Sequence, residues 1–188
     1  MYRHMANNVY ALDGTKETID SVLRGKDKTV WAKSLSNEWG RLAQGNMHGV
    51  TPTDTIDFIM KHEVPRGKKV TYATFVLAFR PHKLEKYRVR ITVGGDRLEY
   101  AGDAGSPATN MLETKILVNS TISDAERGAR MLCADIKDFF LATPMHECEY
   151  MKVHVRHIPD DIVKRYNLTE KKTADNHIYI RIKKEYMA

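Results

Sequence analysis

Apolar residues recur along this chain with two distinct periods, and the changes between them lay out its elements. From Val30 to Ala43, Trp31, Leu35, Trp39 and Leu42 fall at i, i+4, i+8 and i+11, which is one face of a helix. Thr29 is placed to cap its start, and Gly45-Asn46 to end it. The two tryptophans read as core anchors rather than as platforms for base stacking. Three segments rich in β-branched and aromatic residues follow, at 55–60, 70–79 and 87–93, and predict strands. The polar link from Arg80 to Lys86, with Pro81 near its start, predicts that the second and third of these form a hairpin with a basic tip. Alternation along the third strand puts Arg88 and Arg90 on one face and Tyr87, Val89 and Ile91 on the other.

Beyond the hairpin the pattern is more broken. Gly94-Gly95 and residues 101–105 are turn-rich, and Leu112, Ile116 and Leu117 predict an amphipathic helix over 109–120. A turn over 124–127 leads into the apolar run Met131 to Ala134, expected to be a strand that delivers Asp135. Residues 137–141 suit a short helical turn stopped before Pro144. A strand over 150–155, within hairpin distance of the apolar run, a helix over 159–166 and a strand over 178–182 complete the set. Residues 1–28 are polar and mixed, and read as a lead-in or linker. The expectation is an α+β fold, mainly antiparallel sheet with packed helices.

Composition narrows the class. At 188 residues, 42% hydrophobic and 29% charged, the chain suits one globular region. Cys133, within the apolar run, is expected to be a small buried hydrophobe; a disulfide to Cys148 would need adjacent strands and an oxidising compartment. The histidines, among them His146, His154 and His157, lack the spacing of a metal site. The formal charge is +6, with basic groups at 66–69, 80–90, 152–156 and 181–184. Such an excess favours polyanions through phosphate contacts, and it equally describes a solvated basic surface. No stretch approaches membrane-span or signal-peptide character, so no membrane partner is expected and the location is expected to be intracellular, cytoplasmic or nuclear.

The candidate chemistry centres on Asp135. A carboxylate at the end of an apolar strand suits Mg²⁺-dependent phosphoryl or nucleotidyl transfer, where metal ions stabilise charge on attacking and leaving oxygens. The carbonyl of Ile136 could add a second oxygen, and Phe140 an apolar wall beside a nucleotide sugar. The same aspartate pattern also serves as a turn or helix cap.

The segment Ala134-Asp-Ile-Lys-Asp-Phe-Phe-Leu141, followed by Glu149-Tyr-Met151, resembles the "Asp-Val-Lys-x-Ala-Phe-Leu … Tyr-Met" signature of copia-type LTR retrotransposon reverse transcriptases. Matches occur in the family's order elsewhere. Trp31-Ala32 and Glu38 resemble its opening helix. Tyr87-Arg-Val-Arg-Ile-Thr-Val-Gly94 resembles its "Tyr-Lys-Ala-Arg-Leu-Val-Ala-Lys-Gly" strand, and Ser106-Pro107 its "Ser-Pro-Val". His177-Ile-Tyr-Ile-Arg-Ile-Lys-Lys184 resembles the strand leading into "Tyr-Gly-Leu-Pro-Gln".

The resemblance implies the fingers and the start of the palm of an RNA-directed DNA polymerase over residues 29–188. Its partners would be an RNA template, a DNA primer and deoxynucleoside triphosphates. It implies Asp135 as catalytic metal ligand, with Mg²⁺ also held by the Ile136 carbonyl. Arg88 or Arg90 would reach the triphosphate, main-chain donors around Asp138 and Phe139 would cradle phosphates, and Phe140 would line the nucleotide site. Phe139 departs from the family's usual Ala, Gly94-Gly95 from its Lys-Gly, and Asp103 to Gly105 interrupts the approach to Ser106. No aromatic-x-Asp-Asp follows Asp135; Asp160-Asp161, after Ile158-Pro159, reads as a helix start. The domain is therefore expected to be incomplete and inactive by itself. Two other readings stay open: a non-catalytic basic RNA- or DNA-binding remnant using Arg88, Arg90, Lys83, Lys86 and exposed tyrosines for phosphate contacts and stacking, and a gene-model artefact that never accumulates as protein, since unpaired palm strands would expose a sheet edge and apolar surface.

Two Mg²⁺ ions about 3.5–4 Å apart need several converging carboxylates. The purified chain is therefore expected to show no primer extension above an Asp135→Ala control; extension above that control would contradict the expectation.

Overall fold

The computed structural model describes residues 3–5, 8–11, 13–97, 109–134 and 139–185. It is a mixed α+β structure in two bodies, one of Met1–Leu98 with Asp138–Ala188, the other of Glu99–Lys137. The first body opens with a small antiparallel pair, β1 (Arg3–Met5) and β2 (Asn8–Tyr10), and a single turn of helix, α1 (Ile19–Val22). Thr18 and Ser21 cap α1 reciprocally, each side chain bonding the other's backbone N–H. Helix α2 (Lys28–Leu42) and strands β3 (Ile56–Ile59), β4 (Val70–Phe79) and β5 (Tyr87–Val93) follow.

The second body carries α3 (Met111–Ser123), which Asn110 and Glu113 start with a capping box. The expected inward residues Leu112, Ile116 and Leu117 are exposed, as are Met111 and Ile122. At about 100° per residue these apolar positions fall on every side of the helix, so α3 has no single apolar stripe of the kind expected. The first body then resumes with α4 (Phe139–Ala142), β6 (Pro144–His154), α5 (Asp160–Arg165), α6 (Leu168–Lys171) and β7 (His177–Lys184).

Five strands form one sheet in the order β3-β7-β6-β4-β5. All pairings are antiparallel except β4 with β6. Strand β4 is shared: Val70–Tyr72 pair with Tyr150–Lys152 of β6, while Ala73–Phe79 pair with Val93–Tyr87 of β5. Period-2 alternation then sorts the faces. Ile178, Ile180 and Ile182 of β7 join Trp31, Leu35, Trp39 and Leu42 in the main core, while Tyr179 packs with Ile59 and Tyr150 in a smaller cluster. Trp39 is fully buried, stacks at a tilt on Phe58 with centroids 5.7 Å apart, and its Nε1 donates to the carbonyl of His157 at 3.0 Å.

Several expectations are corrected. Residues 1–28 include core: Val9, Ile19 and Val22 are buried in the main cluster. Helix α2 begins at Lys28 with Asp27 at its N-cap, so Thr29 lies inside the helix. Its end is as expected, with Gly45 at φ 98° in the left-handed region. Met131–Ala134 form no strand and are exposed, including Cys133, and both cysteines are free thiols. At residues 150–152 both sides of β6 are taken, by β4 and β7. A hairpin partner from 131–134 therefore has no place there.

Outer strand β3 does not present bare carbonyls. The outward-pointing oxygen of Ile56 accepts from Gln44 Nε2 at 3.0 Å and that of Phe58 from Lys171 Nζ at 2.6 Å. These contacts close part of an edge that would otherwise template pairing with another chain. With its indole filling the middle of the core, Trp39→Ala is expected to cost about 3–5 kcal/mol in urea unfolding. A loss under about 1 kcal/mol would contradict the packing described.

Candidate nucleic-acid interface

The β4–β5 hairpin is built by register. Phe79 opposes Tyr87, Ala78 opposes Arg88 and Val76 opposes Arg90. Val89 and Ile91 point into the core, 1% and 2% exposed, so the intervening Arg88 and Arg90 are forced to the other face. Arg80, just past β4, closes the hairpin by donating its N–H to the Lys86 carbonyl at 2.7 Å. Beyond it His82, Lys83, Glu85 and Lys86 are exposed, and Leu84 stands wholly in solvent.

Positive charge dominates this face. Arg80 Nη2 donates to Glu85 Oε2 at 2.7 Å, and Arg88 Nε lies 3.9 Å from the same carboxylate. Arg90 is exposed and has no acidic partner among the described residues. One carboxylate, that of Glu85, thus serves Arg80 and Arg88, while Arg90 adds a third positive charge that acts on Arg88. Burial, with Arg90 and Arg80 nearby, lowers the pKa of the Arg88 guanidinium against the pull of Glu38 and Glu85. It stays charged all the same. Guanidinium groups that crowd together and outnumber their acids favour an anion with several oxygens, such as a phosphate.

The strand that carries these arginines is held from its outer side by α2. Ser34 Oγ accepts from the Val89 N–H at 2.8 Å, and Glu38 Oε1 from the Ile91 N–H at 3.4 Å. The spacing suits both partners: an i, i+4 step on a helix rises about 6 Å, and an i, i+2 step on a strand about 6.6 Å. Glu38 is itself buried and clamped by Arg41, whose Nη2 lies 2.9 Å from both carboxylate oxygens. At the far end of β5, Gly94 is required by close approach. A Cβ there would lie 2.6 Å from Cζ of Tyr72, whose ring also receives Arg97 at 5.0 Å and whose hydroxyl donates to Asp96.

Arg88 and Arg90 are the expected site residues that the described structure brings together. Asp135, Ile136 and Asp138 lie outside the described residues. So do the side chains of Phe139 and Phe140, whose backbone opens α4. No group of three or more His, Cys, Asp or Glu side chains able to hold a metal ion occurs among the described residues. His154 and His177 have ring centroids 5.4 Å apart, but His177 Nδ1 is turned to Asp175 and His154 Nδ1 accepts from the Arg156 N–H. Arg80, which the sequence pattern places in the link, joins this face only in the fold, and the roles of Ser34 and Glu38 emerge only there. Their signal was an i, i+4 polar pair beside the apolar stripe of Leu35 and Trp39.

No protein-family model matches the chain, and no match was found among curated proteins or solved structures. No helix among the described residues is long and apolar enough to cross a membrane.

The other outer strand carries a network in which each cation meets an acid. Asp57 pairs with Arg181 at 2.7 Å and Lys183 at 3.0 Å; Asp54 pairs with Lys183 at 2.8 Å and accepts from Gln44. Burial raises the pKa of Asp57, but the bonds from Arg181 and Lys183 outweigh it and leave it lowered. The unfolded chain, with its aspartate near about 3.9, therefore takes up the proton first. The stabilisation is complete above that value and is lost as pH falls through the folded one. Asp57→Asn is expected to flatten the acid limb of the stability curve below about pH 4; an unchanged limb would contradict this pairing.

Proposed function

We propose that this chain is a fragment of a copia-type reverse transcriptase, comprising fingers and the start of a palm, whose β4–β5 hairpin contacts the phosphates of nucleic acid or of an incoming deoxynucleoside triphosphate. The observation that carries the reading is the arginine face, where Arg80 and Arg88 share the one carboxylate of Glu85, Arg90 adds a third guanidinium, unpaired among the described residues, and the core side of the same strand is dry. The order of elements also supports it: an opening helix, a basic hairpin, then the Leu132–Met151 segment with its Tyr150-Met151 strand. Within this proposal Asp135 and the Ile136 carbonyl would hold Mg²⁺, which supplies charge stabilisation on the reacting phosphoryl group. Further carboxylates are required to complete a two-metal site, so the arginine face serves binding whether or not catalysis is assembled.

A second reading, a non-catalytic RNA- or DNA-binding remnant, draws support from the fact that the arginine face lies wholly within the first body. The two part on Asp135, whose replacement by Ala weakens Mg²⁺-dependent nucleotide binding only in the polymerase reading.

Phosphate contacts release counterions, about 0.7 in log–log salt slope per contact on a single strand. Fluorescence anisotropy with a labelled single-stranded RNA is expected to give a steep salt dependence. Arg88→Ala combined with Arg90→Ala should reduce the slope by about 1.4. An unchanged slope would remove both arginines from the interface.

A further inference from the structure

We propose that Glu38 is a positioning residue for the arginine face: by accepting the outward Ile91 N–H along the free edge of β5 it fixes the β5 backbone, so that Arg88 and Arg90 project together on the face away from Val89 and Ile91. This rests on the phosphate-binding reading above. Its geometry stands independently of that reading.

A carboxylate only 5% exposed needs compensation, or its burial is costly. Arg41 supplies most of it, with contacts at 2.9 to 3.2 Å. One Glu38 oxygen nevertheless faces the backbone of a strand 53 residues away in sequence. A leucine would fill the space with less desolvation, so the charge is informative where packing alone is not. Strand β5 has β4 on one side only, and its outward N–H groups at Val89 and Ile91 need acceptors. Ser34 and Glu38 provide them one helical turn apart.

The consequence for the arginines is geometric. Arg88 and Arg90 alternate with Val89 and Ile91, so any rotation or slip of β5 at those amides turns both guanidinium groups. Glu38 is also among the charges that act on the partly buried Arg88, holding its charged form against Arg90 and Arg80. It touches no ligand in this account and works through Ile91.

The acceptor and the charge separate by substitution. Glu38→Gln keeps a carboxamide oxygen for the Ile91 N–H and removes the charge, while Glu38→Ala removes both. Amide hydrogen exchange read by NMR at Ile91, together with anisotropy with the same single-stranded RNA at low salt, tests the proposal. Glu38→Ala is expected to lose the protection of Ile91 and about tenfold in RNA affinity, the scale of one hydrogen bond to a charged group. Glu38→Gln is expected to keep the protection and stay within about threefold of the parent affinity. Unchanged protection and affinity in Glu38→Ala would overturn the proposal.

Should Glu38→Ala fail to fold, Ser34→Ala deprives Val89 of its acceptor while leaving the Glu38–Arg41 pair intact. The same loss of protection, now at Val89, and the same direction in affinity are expected; full protection with parent affinity would overturn the proposal. If the parent chain binds no RNA, the phosphate reading fails by itself, and exchange at Ile91 still decides whether Glu38 fixes the strand.

Discussion

The junction between α2 and β5 is the constraint on which the rest of the first body depends. A five-stranded sheet has two outer strands, and each presents backbone groups that must find partners or stay wet. On one side Ser34 and Glu38 accept the N–H groups of Val89 and Ile91. On the other, Gln44 and Lys171 donate to the carbonyls of Ile56 and Phe58. The helix can reach β5 only because Trp31, Leu35 and Trp39 are sunk in the core beside it, so hydrophobic burial and edge satisfaction are one event. Glycine enters this packing once: a Cβ on Gly40 would lie 2.6 Å from that of Asn46, where the chain folds back after the helix.

That junction also decides what the surface can do. Once Val89 and Ile91 are buried, Arg88 and Arg90, which alternate with them, have no alternative to the other face. Charge on that face is then left in excess, with Glu85 shared between Arg80 and Arg88 and Arg90 open to solvent. The Asp54–Asp57–Lys183–Arg181 network is the contrasting case, since both cations there meet an acid within the protein. Basic charge alone therefore does not distinguish a binding face; the ratio of guanidinium to carboxylate does.

What the sequence made legible follows from how local each signal is. The strands expected at 70–79 and 87–93 are the observed β4 and β5, because their alternation and the polar link between them are contained within a few residues. The helix stripe of Trp31, Leu35, Trp39 and Leu42 is likewise local, and all four are buried. Partner choice was not legible. The parallel pairing of β4 with β6 joins residues far apart in sequence, and it leaves no place beside residues 150–152 for the expected strand over 131–134. Val9 was missed because the short run Val9-Tyr-Ala-Leu12, inside a polar stretch, shows neither helical nor strand period, although Val9 is fully buried. The i, i+4 pair of Ser34 and Glu38 was visible in the sequence, but its partners were not: a polar residue on a helix does not announce which backbone it meets. Asp135 stood out in the sequence, yet it lies outside the described residues, and the arginine face carries the functional reading instead.

The most direct test of that reading is an NMR titration of the ¹⁵N-labelled chain with a short RNA–DNA duplex, following backbone amides and arginine Nε–H groups together. The account predicts shifts concentrated on Val76, Ala78, Arg80, Arg88 and Arg90, with the Asp54 and Asp57 network unmoved. Shifts centred on that network, or none at saturating duplex, would contradict it.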